Sequence, residues 1–180
     1  MQEISVLLIS GSLRKPSMNR KLLAEAARLI EPAKPTAADI GFPLYDGDIE
    51  TSTGIPAAVQ TLADQIADAQ AVVIGCPEYN QSFSGVLKNA LDWVSRLKTN
   101  PWADKPVALV SATGGRAGGA RAQSALRLAM MPFRAHVLPG PEVLVASASG
   151  AFDDAGRLTD ERYIKALETL MTDLRAAVLR

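Results

Sequence analysis

Disulfide chemistry is closed to this sequence, because Cys76 is the single cysteine among 180 residues and has no internal partner. A net charge of either sign is also missing. Lysine plus arginine and aspartate plus glutamate number 19 each, for a formal charge of zero. No large basic surface is then available to release counterions from a nucleic acid, so no nucleic-acid partner is expected. Long hydrophobic runs are absent as well. The longest early one, within Ile4-Ser5-Val6-Leu7-Leu8-Ile9, falls far short of the roughly 20 residues a bilayer-spanning helix needs, and no membrane association is expected. No basic segment followed by an apolar stretch and a small-residue cleavage site opens the chain, which makes the reducing cytoplasm the expected location. A chain of this length fits a single domain spanning 1–180.

What is present is a repeating order of elements. The first apolar run reads as a buried strand, and Gly11 to Asn19 holds the Gly, Pro, Ser and Asn that break regular structure. From Asn19 onward Leu22, Leu23, Ala26, Ala27 and Ile30 recur at helical spacing, with Asn19 placed to cap the first turn and Pro32 to end the last. Ala71 to Gly75 is a second apolar strand, followed by a loop from Cys76 to Ser84 and a helix from Gly85 to Leu97. Pro106 to Ser111, a glycine-rich turn from Ala112 to Gly118 and a helix from Gly119 to Met131 form a third unit. A weaker strand near Thr36 to Ile40, a long loop from Gly41 to Pro56 and a helix from Ala57 to Ala69 lie between the first two units. Val143 to Val145 is a last strand, and Ile164, Leu167, Leu170, Met171, Leu174 and Val178 mark a closing helix. Strands without polar alternation are buried on both faces. Right-handed crossovers then predict an α/β doubly wound parallel sheet of five strands with helices on both faces. Ligand sites of such sheets lie at the carboxyl ends of the strands, where all three informative loops begin.

The loops lack the signatures of the commonest nucleotide sites. Neither Gly-x-x-x-x-Gly-Lys followed by Ser or Thr nor Gly-x-Gly-x-x-Gly follows the first strand, which weakens triphosphate and dinucleotide readings. A phosphatase-type nucleophile is missing too, because Cys76 lies on another strand and reads as packing. In the first loop Ser12, Ser17 and Asn19 are side-chain donors and Arg14 is a cation, all ahead of a helix N-terminus that favours an anion. An ordinary polar turn is the competing reading. In the second loop, Pro77-Glu78-Tyr79-Asn80, a rigid turn, an aromatic ring and amide groups suit a flat heterocycle; alternatively Tyr79 and Phe83 cover the core edge. The third loop, Thr113-Gly114-Gly115-Arg116-Ala117-Gly118-Gly119, has more glycine than a simple turn requires, which calls for close backbone approach or positive φ, or else for a flexible surface loop. His136, the only histidine, lies outside these loops and reads as structural; no metal site is expected.

Taken together the loops resemble the NADPH-dependent FMN reductase family, which includes flavodoxin-like quinone and chromate reductases. The matching residues are Gly11-Ser12-Leu13-Arg14-x-x-Ser17-x-Asn19, Pro77-Glu78-Tyr79-Asn80-x-Ser82-x-x-Gly85-x-Leu87-Lys88-Asn89-Ala90-x-Asp92-Trp93, and Gly118-Gly119-x-Arg121-Ala122-Gln123. The middle segment is the most specific. The resemblance implies a flavodoxin-like fold, with Ser12, Arg14, Ser17 and Asn19 holding the FMN phosphate and Pro77, Glu78, Tyr79 and Asn80 lining the isoalloxazine. Ser111 and the Thr113, Gly114, Gly115 turn complete the pocket in this reading, although Ala112-Thr113-Gly114-Gly115 stands where many relatives carry a proline.

The resemblance further implies an oxidoreductase in which NADPH or NADH reduces FMN and FMN reduces a small-molecule electron acceptor such as a quinone, free flavin, azo compound or metal ion. Because the flavin carries the chemistry, no catalytic acid, base or nucleophile is expected, and the kinetics should be ping-pong. Arg116 and Lys15 are candidates for a 2′-phosphate contact. Relatives are homodimers or homotetramers, with Met130, Met131, Pro132 and Phe133 as candidate contacts here. Two alternatives stand beside this reading. One is a flavodoxin-type electron carrier, against which the neutral charge argues; the other is a non-catalytic FMN-binding module, distinguished by whether the loaded protein oxidises NAD(P)H.

Overall fold

The computed structural model describes residues 2–179. The expected βα units are present. Strand β1 (Ile4–Ser10) leads into α1 (Met18–Leu29), β3 (Ala71–Gly75) into α4 (Gly85–Val94), and β6 (Pro106–Ala112) into α5 (Ala120–Met130), while β2 (Ala33–Ala38) and α3 (Ala57–Asp68) lie between the first two units and α6 (Glu161–Val178) closes the chain. The strands pair in parallel in the order β2, β1, β3, β6, with Ile9 level with Ile74, and Ile74 with Leu109.

Period-two alternation explains why these strands are apolar throughout. Val6, Val73 and Val110 point to the layer of α1 and α6, where they meet Leu22, Ala26, Leu167 and Leu174. Leu7, Ile9, Val72, Ile74, Val107 and Leu109 point to α3, α4 and α5, against Leu62, Ile66, Leu91 and Leu126. The central strands β1, β3 and β6 are therefore packed by helices on both faces, which is the condition for a covered parallel sheet. Among the described residues no helix is long and apolar enough to cross a membrane.

Several boundaries differ from the sequence reading. The fifth strand is divided: β7 (His136–Val137) pairs with the start of β6 and β8 (Val143–Val145) with its end, and Gly140 and Pro141 fall in the interruption. The second strand begins at Ala33 rather than Thr36, because it pairs with β1 from Ile4 onward. Its sequence, Ala-Lys-Pro-Thr-Ala-Ala, is largely exposed and carries no apolar pattern, and pairing alone makes it a strand. Pro35 is accommodated because β2 is an edge strand. The Gly41 to Pro56 loop contains a short helix, α2 (Gly47–Thr53), whose N-cap Asp46 accepts from the Asp48 N–H at 2.8 Å. No residue of α2 is buried, so it shows no apolar stripe.

The proposed contact residues also separate. Met130 is buried in the core and Phe133 packs edge-on against Trp102, ring centroids 6.5 Å apart, whereas Met131 is exposed together with Leu128. His136 is an exposed residue of β7, away from the strand ends that carry the loops.

Candidate functional site

The carboxyl ends of β1, β3 and β6 open onto one cleft of about 240 Å³. Its lining includes Ser12, Arg14, Ser17, Asn19, Pro77, Glu78, Tyr79, Thr113 and Gly114, so all three loops contribute. The first two loops are bonded directly to one another. Gly11 N–H donates to Gly75 O at 2.8 Å, and the Ser84 hydroxyl donates to Gly11 O at 2.6 Å while accepting from Leu87 N–H at the start of α4.

Ser17, not Asn19, is the N-cap of α1. Its hydroxyl makes no hydrogen bond to the helix it caps, although the residue is buried and lines the cleft. The first N–H groups of α1, those of Met18 and Asn19, have no intrahelical acceptor by helix geometry. An unspent hydroxyl, helix amides at the positive end of the dipole, the Ser12 hydroxyl and the exposed Arg14 guanidinium thus gather at one end of the cleft. This donor set accepts an oxyanion. Asn19 contributes differently from expectation: its Nδ2 donates to Ala112 O at 2.9 Å and its Oδ1 accepts from Ala112 N–H at 3.0 Å. Both ends of the amide are used in tying α1 to the end of β6, which leaves no side-chain cap for the helix and one Nδ2 hydrogen beyond the bond to Ala112.

The second loop is not irregular. Strands β4 (Glu78–Tyr79) and β5 (Ser82–Phe83) form a hairpin whose two turn residues, Asn80 at φ 50° and Gln81 at φ 67°, are both left-handed. That is the turn whose twist suits a tight hairpin, and the sequence carries no mark of it because Gln81 stands where glycine is the usual signal. Tyr79 is half exposed on the cleft wall, while Asn80 sits at the hairpin tip outside the lining. The Glu78 carboxylate turns toward α5, accepting from Ala122 N–H at 3.4 Å with Arg121 Nη1 at 3.8 Å.

In the third loop Thr113 and Gly114 line the cleft and Gly115 does not; its carbonyl accepts from Ser147 N–H at 3.3 Å. Ser111 is also displaced from the expected lining. It shares strand parity with Val107 and Leu109, so its side chain enters the α5 layer, where Oγ donates to Gly118 O at 2.6 Å and accepts from Gln123 Nε2 at 3.0 Å. A fourth wall was not anticipated. Ala148 and Ser149 line the cleft, and Ala148 N–H is held by Thr113 O at 2.9 Å. Their signal was the Ala146-Ser147-Ala148-Ser149-Gly150 tract at the carboxyl end of the last strand, the position where ligand loops of such sheets lie.

Cys76 immediately precedes Pro77 of the cleft wall but is buried and outside the lining. Burial first, and the neighbouring Glu78 carboxylate second, push its thiol up to about 12. It therefore stays protonated through neutral pH and is a poor nucleophile. The native protein is expected to resist an aromatic disulfide reagent at about pH 8 and to take up one equivalent once denatured; rapid labelling of the native protein would show the thiol to be accessible.

Comparison with known proteins agrees with this architecture. The family model described as NADPH-dependent FMN reductase matches residues 4–150. An NAD(P)H-dependent FMN reductase of Pseudomonas aeruginosa is 45% identical over 179 residues, covering 98% of this chain and 95% of its own. A quinone reductase of Escherichia coli is 39% identical over 178 residues, covering 95% of this chain and 93% of its own. Among solved structures, the flavoenzyme NAD(P)H:(acceptor) oxidoreductase FerB of Paracoccus denitrificans superposes with a TM-score of 0.87 at 31% identity, over 98% of this chain and 97% of that one. With the loops, the sheet order and these relatives in agreement, the chain belongs to the NADPH-dependent FMN reductase family.

Proposed function

We propose that the protein is an FMN-dependent NAD(P)H oxidoreductase that passes two electrons to a small acceptor, a quinone or a flavin foremost. The observation that carries this reading is the Ser17 hydroxyl, left unbonded by its own helix beside free α1 amides, Ser12 and Arg14, facing a cleft whose other wall is a tyrosine-bearing hairpin. These residues fit the two ends of FMN. Ser12, Ser17, Arg14 and the first amides of α1 would receive the phosphate, and Pro77, Tyr79, Thr113 and Gly114 would line the ring. Bound FMN supplies the two-electron carrier that NAD(P)H reduces and the acceptor reoxidises.

The chain itself positions and shields. Asn19 locks α1 to β6 so that the phosphate donors keep their register with the third loop. Pro77 and the hairpin give the ring a stiff wall, with Tyr79 as its apolar contact. No side chain is assigned a proton-transfer role. The whole chain, 1–180, acts as one FMN-binding unit in this reading, working in the cytoplasm as a homodimer or homotetramer. The exposed Leu128 and Met131 supply apolar contact area between subunits, and light scattering coupled to size exclusion is expected to give a mass of two or four chains.

An absorbance experiment tests the activity. Protein loaded with FMN is expected to bleach on anaerobic addition of NADPH or NADH and to recover its yellow colour when a benzoquinone is added. Flavin that binds without bleaching would assign the protein to electron carriers or binding modules, and absence of flavin binding would overturn the proposal.

A further inference from the structure

Helix α5 begins without the means to cap itself. Its N-cap is Gly119, at φ +96°, and its first turn holds no acidic residue. A side chain at Gly119 is excluded, because a Cβ there would lie 2.6 Å from the Cβ and the Oγ of Ser111. The orphan N–H of the third helical residue, Ala122, is nevertheless bonded. Its acceptor is Glu78 Oε2 at 3.4 Å, supplied from the hairpin 44 residues earlier in the chain, with Arg121 Nη1 3.8 Å from the other carboxylate oxygen. A carboxylate at this place also meets the positive end of the α5 dipole.

Because Glu78 is the first hairpin residue and Tyr79 the next, this bond adds a polar tie between the hairpin and the helix that follows the third loop, beside the packing of β4 and β5 on α5. We propose that Glu78 is a positioning residue of the site: its carboxylate caps α5 from outside the helix and so holds the Tyr79 wall of the cleft in register with Thr113 and Gly114. This rests on the flavin reading above and assigns to Glu78 a task other than touching the ring. Without the cap the hairpin populates its binding-competent position for only part of the time, and apparent affinity falls by that fraction.

The test compares Glu78→Ala, which removes the acceptor, with Glu78→Gln, whose amide oxygen can still accept from Ala122 N–H. Neutral acceptors cap helices about as well as carboxylates. Two readouts are taken: amide exchange at Ala122 in the flavin-free protein, and quenching of FMN and of riboflavin fluorescence on titration. Glu78→Ala is expected to speed Ala122 exchange and weaken both flavins by about fivefold each, the equivalent of one lost cap. Glu78→Gln is expected to stay within about twofold of the parent on both and to leave the spectrum of bound flavin unchanged. Equal loss for FMN and riboflavin matters because the latch serves the ring wall and not the phosphate end. Unaltered Ala122 exchange in Glu78→Ala would overturn the proposal. So would loss of flavin affinity in Glu78→Gln accompanied by a shifted flavin spectrum, which would make Glu78 a direct contact. Failure of the parent protein to quench either flavin would instead overturn the flavin reading, while the exchange measurement would still report on the latch.

Discussion

Replacing Gly118 with alanine is expected to destabilise the fold by about 2–5 kcal/mol, the sum of an unfavourable left-handed conformation and an overlap that nothing can relieve. Gly118 has φ +60°, and a Cβ built on it lies 2.4 Å from the carbonyl oxygen of Leu144 and 2.5 Å from its carbonyl carbon. Both atoms are backbone of the segment that carries β8, and β8 is paired to the end of β6, so neither can withdraw without breaking the sheet edge. Gly118 O is also the acceptor of the buried Ser111 hydroxyl, and a shift of the turn would strand that group beside Gln123, whose Oε1 already has no partner. Against a total stability of about 5–15 kcal/mol this is a large fraction, and urea denaturation should show a clearly lowered midpoint. Gly85→Ala is the control. Nothing lies within 4 Å of a Cβ there and the residue is helical, so alanine should be neutral or stabilising by up to about 1 kcal/mol. A Gly118→Ala protein as stable as its parent would mean that the turn relaxes freely.

Replacing Arg14 with alanine is expected to weaken FMN by about 1.5–3 kcal/mol, the range for a hydrogen bond involving a charged group, which is roughly a 10- to 150-fold rise in Kd. Arg14 lines the cleft, is exposed, and has no carboxylate partner among the ion pairs of the described residues, so its charge is available at the end where Ser12 and Ser17 gather. Riboflavin, which lacks the phosphate, should bind both proteins equally. The preference for FMN should also shrink as salt rises, because an exposed charge is screened over about 10 Å at 0.1 M ionic strength. Fluorescence titration with both flavins reads each point. Equal losses for FMN and riboflavin would remove Arg14 from the phosphate end and relocate its contact to the ring.

The three strand-to-loop junctions were legible because each depends on short-range information. An uninterrupted apolar run followed by Gly, Pro, Ser and Asn is a local pattern, and strands buried on both faces leave few other architectures open. Elements that bury nothing were legible only in part: the strand near Thr36 was expected with a later start, and α2 was not expected at all. Strand β2 exists because β1 offers it an edge, and α2 is held by the Asp46 cap without an apolar face to announce it. Site residues divided on the same principle. Ser12, Arg14, Ser17, Pro77 and Tyr79 follow from loop position and residue chemistry, and the structure brings them to one cleft.

Residue type and order alone determined the sheet class, the three loops and the family resemblance, since all of these follow from periodicity and from motifs contiguous in the chain. Only the tertiary structure decided what the polar groups of the site do. Asn19 is bonded to Ala112, Ser111 to Gly118, and Glu78 to Ala122, over separations of 93, 7 and 44 residues. A side-chain amide, hydroxyl or carboxylate can serve a ligand or the protein's own backbone equally well, and the choice is set by which unpaired N–H or carbonyl the fold brings within reach.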